Sequence, residues 1–155
     1  MSIKMLVMDV DGTLTDGHIY IGAEGEMVKA FHVQDGYAIA HILPEKDIVP
    51  VIITGRSSKI VERRAVELKI AHLHQGVTDK LFKLKEIAAE LGISADEIAY
   101  IGDDVNDLDC IRWCGLTACP ADAVSTVRKT VQYVCDRTGG NGAVREFIDW
   151  VVAER

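Results

Sequence analysis

No apolar run in the 155 residues approaches the ~18 needed to cross a bilayer, so the sequence offers no helical membrane span. The stretch from Met1 to Val10 reaches Asp9 and Asp11 too early to supply the apolar centre of a secretory signal, and a cytoplasmic location is expected. Positive charge is in deficit. Lys and Arg number 17 against 24 Asp and Glu, a net charge of -7, which speaks against nucleic acid or an anionic membrane as the main partner. The four cysteines, Cys110, Cys114, Cys119 and Cys135, contain no C-x-x-C pair and read as reduced thiols packed in a core. Internal repeats, low-complexity tracts and linkers are also missing. What remains is an ordinary globular composition, 48% hydrophobic and 26% charged, with enough length for a full core in one domain over residues 1–155.

Short apolar runs alternate with amphipathic stretches, the pattern of parallel strands joined through helical crossovers, so the fold class is α/β. The strand candidates are Ile3 to Met8, Ile48 to Ile53, Ala71 to His74, Ile98 to Ile101, Leu116 to Cys119 and Val131 to Val134. Helices are expected over Ser57 to Leu68, through Leu81, Leu84, Ile87, Ala88 and Leu91, and from about Gly142 to Ala153. Gly92 supplies a helix stop, and Ser94 a cap for a short turn. One region breaks the alternation: His18 to Ile21 and Met27 to Phe31 flank Gly22-Ala-Glu-Gly25 and read as a projecting β-hairpin.

The first strand runs into Asp9-Val10-Asp11-Gly12-Thr13, which sets two carboxylates where open α/β sheets place their sites. The fourth ends in Gly102-Asp103-Asp104-Val105-Asn106-Asp107-Leu108-Asp109. That many acids exceed what helix capping needs, and oxygen-only ligands at strand ends suit Mg²⁺. The second ends in Thr54-Gly55-Arg56-Ser57-Ser58, a hydroxyl and backbone N–H groups available to an anion, with Ser57 as the expected N-cap of the following helix. Lys80 opens the next helix, where a positive charge opposes the helix dipole, so a nearby phosphate or carboxylate cluster is expected. Each signal follows a strand, and one parallel sheet would gather them along one edge. Together they describe phosphoryl transfer: cations neutralise phosphate charge, one carboxylate attacks phosphorus and another moves the proton.

Asp9-x-Asp11-Gly-Thr, Thr54, Lys80 and Gly102-Asp103-Asp104-x-x-Asp107 resemble, in order, the four motifs of the haloacid dehalogenase phosphatases. The resemblance implies Asp9 as nucleophile, Asp11 as general acid/base, and Thr54 and Lys80 as phosphate ligands. It further implies Mg²⁺ held by Asp9, Asp103 and the backbone carbonyl of Asp11, with Asp104 and Asp107 supporting the metal or its waters. A response-regulator receiver uses similar residues, but its lysine comes last, whereas Lys80 precedes the second acid cluster. The gaps between motifs hold no room for a cap domain. The expected architecture is a Rossmann-like three-layer sandwich with a parallel sheet and a protruding β-hairpin.

Across nearly the whole chain the hairpin, Lys29-Ala-Phe31 with Asp35-Gly36, Ile53 to Ser57, Arg63-Arg64-Ala65, Gln75-Gly76 with Asp79-Lys80, and Gly139 to Glu146 are similar to the 3-deoxy-D-manno-octulosonate 8-phosphate phosphatases. That resemblance implies a phosphorylated sugar acid as substrate. It also implies a homotetramer, in which a neighbour's hairpin and glycine-rich C-terminal segment close each site. A related branch acts on the nine-carbon nonulosonate 9-phosphate and tends to carry Glu where this chain has Arg56, so Arg56, after Thr54-Gly55, tilts the expectation to the eight-carbon acid. Arg64 is a candidate for the substrate carboxylate from an adjoining subunit. Ala38 departs from a position where the family often has Gly, close to the expected substrate pocket. Two other functions remain open on the sequence: a non-catalytic oligomerisation module of similar fold, opposed by the intact Asp9, Asp11, Lys80 and Asp103, and a capless phosphatase acting on protein phosphates.

Overall fold

The computed structural model describes residues 2–153. Strand β1 (Met5–Met8) is followed by the hairpin strands β2 (Tyr20–Gly22) and β3 (Gly25–Val28), then by helices α1 (Val33–Tyr37) and α2 (Leu43–Glu45). The chain continues through β4 (Val49–Ile53), α3 (Lys59–Glu67), β5 (His72–His74), α4 (Lys80–Leu91), β6 (Ile98–Ile101), α5 (Leu108–Trp113), β7 (Leu116–Cys119), α6 (Ser125–Thr130), β8 (Tyr133–Val134) and α7 (Ala143–Ala153).

Six strands form a parallel sheet in the order β5-β4-β1-β6-β7-β8, and the hairpin is a separate antiparallel pair. Strand β1 is central because its residues are apolar on both faces and all four are fully buried. Leu6 and Met8 join the core layer beneath residues 38–43, α3 and α7, while Met5 and Val7 join the layer beneath α4, α5 and α6. The result is helix, sheet, helix. Helix α7 docks through Val144, Phe147, Ile148 and Val151, the spacing of one helical face, and all four have no exposed surface. Burial of each such side chain stabilises by about 1.5–3 kcal/mol, enough to fix the helix against the sheet.

Several local expectations shift. The cap of α3 is Ser58, not Ser57: its Oγ accepts the N–H groups of Ile60 and Val61. The last strand shortens to Tyr133–Val134, because Val131 closes α6 by donating its N–H to Val127. Between α1 and α2 lies a π turn, Ala38–Ile42, in which the Leu43 N–H reaches back to the Ala38 carbonyl. That widened turn stands just ahead of Pro44, whose ring lacks an N–H and excludes the usual contact with the carbonyl four residues back. Ala38 itself has no exposed surface and packs in the core.

The insertion between β1 and β4 is the hairpin and the α1–α2 segment, and between β4 and α4 only α3 and β5. Accordingly the carboxyl ends of β1, β4 and β6 stay uncovered by any inserted domain among the described residues.

Candidate active site

Asp9 follows β1 directly and is 6% exposed, its N–H donating to Ile101 O at the end of β6. The parallel register that aligns Met8 with Ile52 and Ile101 therefore brings the ends of three strands side by side. One oxygen of Asp9 accepts from its own neighbour Val10 N at 2.8 Å and faces Lys80 Nζ at 3.1 Å. Burial, then the Asp107 charge, pushes the Asp9 carboxyl up to about 6 against the opposing pull of Lys80.

Lys80 is the first residue of α4, capped by Asp79, whose side chain accepts from Phe82 N. Far from solvated, it is 3% exposed and bridges Asp9 and Asp107, the latter at 2.9 Å. Burial alone would lower its pKa, but the two carboxylates outweigh that and raise it, so the ammonium stays charged. Asp107 has no exposed surface, and both its oxygens are occupied. Oδ1 accepts from Lys80 and from Tyr100 OH at 2.5 Å, while Oδ2 accepts the N–H groups of Asp103 and Asp104 at 3.0 and 3.2 Å. Its place is to hold Lys80 and shape the turn beyond β6.

Asp103 lies beside Asp9. Thr13 Oγ1 donates to its Oδ1 at 3.0 Å, and burial, then the charges of Asp9 and Asp107, push its carboxyl up to about 8. The room for it is made by Gly12: a Cβ there would lie 2.0 Å from Asp103 Oδ2, and Gly12 has φ of +92°, a conformation that favours glycine. Oxygens of Asp9, Asp103 and Asp107 lie within 4.8 Å of one another. With Asp107 fully engaged, Asp9 and Asp103 are the carboxylates with capacity left for a cation. Their raised pKa values are the mark of crowded negative charge that a hard divalent ion such as Mg²⁺ relieves, so the residues fit that metal.

Asp11, Thr54, Gly55 and Arg56 line the same cleft as Asp9, Asp103, Asp104 and Asn106. Thr54 is 2% exposed, its backbone pinned between His74 O and Val77 N. Arg56 is half exposed, with Nε 3.9 Å from Asp11 Oδ2. Asp104 lines the cleft too, but one of its oxygens caps the turn at Val105 N. Arg64 is not brought to this cleft. It lies on α3 with its guanidinium 5.3 Å from the centre of the Phe31 ring and its Nε buried without a hydrogen-bond partner.

Sequence reasoning missed the groups that hold these residues: Thr13, Tyr100, Glu26, Lys29 and Ser58. Tyr100 carried a faint signal as the one hydroxyl-bearing side chain in β6. The others needed tertiary distances. The glycine-rich segment also acts within its own chain. Gly140 N donates to Thr13 O, and a Cβ on Gly139 would lie 2.0 Å from Gly12 O, so the glycine pair packs flat against the loop that carries Asp9 and Asp11.

Residues 67–148 match the haloacid dehalogenase-like hydrolase family. The 3-deoxy-D-manno-octulosonate 8-phosphate phosphatase of Escherichia coli K12 is 44% identical over 148 residues, 96% of this chain and 78% of that protein. The crystal structure of the phosphatase of that name from Yersinia pestis superposes with a TM-score of 0.94 at 44% identity, covering 97% of this chain and 81% of its own. That from Moraxella catarrhalis, in complex with magnesium, phosphate and KDO, gives 0.93 at 44% identity, covering 97% and 86%.

Proposed function

Because the chain belongs to the haloacid dehalogenase-like hydrolases, and among them to the 3-deoxy-D-manno-octulosonate 8-phosphate phosphatases, we propose that it is a Mg²⁺-dependent phosphatase releasing phosphate from that eight-carbon sugar acid. The observation that carries this is the buried Asp9 carboxylate, 3.1 Å from a buried Lys80 and beside Asp103, at the open carboxyl edge of a parallel sheet. Asp9 is the nucleophile. Its carboxylate attacks phosphorus in line, the P–O bond to the sugar breaks, and Asp11 gives its proton to the departing oxygen. Asp11 then takes a proton from the water that hydrolyses the aspartyl phosphate. Lys80 and Thr54 hold the phosphate oxygens, with the N–H groups from Gly55 onward as further donors, and Asp107 fixes Lys80. Asp9, Asp103 and the Asp11 backbone carbonyl would hold Mg²⁺, which would supply charge neutralisation on the phosphoryl group.

Arg56 is the side chain best placed to meet the substrate carboxylate from this chain, since it lines the cleft and its charge is half exposed. The hairpin supports a homotetramer as the way the cleft is closed. Ile21 is 69% exposed, Met27 66% and Val28 53%, an apolar projection that a neighbouring subunit would cover. Arg64 is absent from the lining of its own cleft, so a role for it on the substrate carboxylate would be in a neighbour's site. The protein acts in the cytoplasm, and no helix among the described residues is long and apolar enough to cross a membrane.

Phosphate release from the octulosonate 8-phosphate, the nonulosonate 9-phosphate, simple sugar phosphates and a phosphopeptide, with Mg²⁺ and with chelator, tests this. Selective Mg²⁺-dependent turnover of the eight-carbon acid is expected. Preference for the nine-carbon acid would overturn the role of Arg56, and silence on every ester the activity itself. Gly12→Ala is expected to lower turnover at least ~100-fold, because the new Cβ evicts the Asp103 carboxylate and strains the loop; near-normal Mg²⁺ affinity in that variant would contradict the close approach.

A further inference from the structure

The hairpin does more than project. At its foot Lys29 Nζ lies 2.6 Å from Asp11 Oδ1 and 2.9 Å from Glu26 Oε2, with its side chain only 2% exposed. Glu26 Oε1 in turn accepts from Ser58 Oγ at 2.5 Å, and Ser58 is the residue that caps α3 and donates its N–H to Gln75 Oε1 at 2.9 Å. A continuous chain of contacts therefore runs from the segment after β5, through the start of α3 and strand β3, to the carboxylate of Asp11. A buried ammonium clamped between two carboxylates is costly unless its geometry is fixed, and here Glu26 is itself fixed by Ser58. With Oδ1 held by Lys29, the Asp11 carboxylate cannot turn freely about its side-chain bond.

We propose that Lys29, anchored by Glu26 and Ser58, is the positioning residue for the general acid Asp11, fixing one carboxylate oxygen so that the other meets the leaving oxygen of the substrate. This rests on the phosphatase activity and on Asp11 as its proton donor. The hairpin thereby becomes part of the catalytic apparatus of its own chain. Lys29 touches neither phosphorus nor the leaving group. It acts through the orientation of Asp11 at the moment the P–O bond breaks and the oxygen takes the proton.

The test compares two esters by kcat/KM, which covers the chemistry up to departure of the leaving group. In the octulosonate 8-phosphate the departing sugar oxygen is an alkoxide that needs the proton; in 4-nitrophenyl phosphate it is a stabilised phenolate that does not. Lys29→Met is expected to lower kcat/KM on the sugar-acid ester by about 100-fold and on the nitrophenyl ester by less than about threefold, the lower end of what a general acid contributes. Because Met leaves the partly buried Glu26 without its cation, the double variant Glu26→Gln/Lys29→Met, which removes both charges, is measured beside it and should show the same ester-selective loss. Equal losses on the two esters in a folded variant, or an undiminished double variant, would overturn the positioning role. Wild-type protein inert towards both esters would instead overturn the activity on which the role rests.

Discussion

Asp9→Asn is expected to lower Mg²⁺-dependent phosphate release by roughly 10⁴-fold or more while leaving the fold intact. The amide is nearly isosteric with the carboxylate, so the packing at the end of β1 survives, and its oxygen can still accept from Val10 N. What disappears is the attacking charge. An amide oxygen forms no stable acyl phosphate, so the covalent route is closed rather than slowed. The electrostatic consequence is opposite to that of most active-site substitutions. Asp9 and Asp107 both push the Asp103 carboxyl up, so neutralising Asp9 removes repulsion from the cluster, and Lys80 keeps Asp107 as its partner. The thermal midpoint of the metal-free variant should therefore equal or exceed that of the parent. Phosphate release and a melting curve on the same preparation check both halves; turnover within tenfold of the parent would remove Asp9 from the nucleophile's role.

The same groups explain why the site tolerates so much buried charge. Among the described residues Lys80 is the only cation paired with Asp9, and it is shared with Asp107, so one positive charge serves two carboxylates while no cation of the described residues lies within ion-pair distance of Asp103. Tyr100 and the turn N–H groups stabilise Asp107 by hydrogen bonding, which leaves the residual imbalance on the pair Asp9 and Asp103. A divalent cation is the natural complement to that imbalance.

Legibility in the sequence followed the range of the interaction. Strand β6 was readable to the residue, since a four-residue apolar run bounded by a polar turn and Gly102 leaves no other choice. Lys80 was readable as an anomaly because a cation at a helix start conflicts with the dipole, and the conflict is resolved by the carboxylates it meets. Ser57 and Ser58 were indistinguishable as caps, since both are good cap residues and only the extended backbone of Ser58 decides between them. Lys29 could not be assigned a contact at all. Its partner Asp11 lies 18 residues away, across a hairpin whose orientation no local pattern encodes. For the glycine pair at 139 and 140 the sequence offers only the resemblance to a neighbour's closing segment, because a close backbone approach to Gly12 and Thr13 leaves no trace in composition.

Asp103→Asn carries the second large effect, and its sign depends on whether metal is present. In the metal-free protein the Asp103 carboxyl is pushed up from 3.8 to about 8, and that of Asp9 to about 6. A carboxyl raised in this way favours the folded state when protonated. Its contribution is fully present below the unfolded value and is lost as pH climbs through the folded one. The chelated parent should therefore lose thermal stability as pH rises from about 4 to 8, Asp9 contributing up to about 6 and Asp103 up to about 8, and Mg²⁺ should restore most at the alkaline end, where binding no longer displaces protons. In Asp103→Asn the decline between about pH 6 and 8 should flatten, and the chelated midpoint near pH 8 should rise by roughly 2–4 °C, the shift that about 1 kcal/mol produces in a chain of this size. The Mg²⁺-induced rise should vanish with it, and phosphate release should fall by at least ~100-fold. Melting curves of parent and variant across that pH range, each with chelator and with saturating Mg²⁺, separate the two contributions. A variant that keeps the parent's Mg²⁺ shift would place the metal elsewhere in the acidic cluster, and one whose chelated midpoint falls would mean that the Thr13 contact outweighs the repulsion.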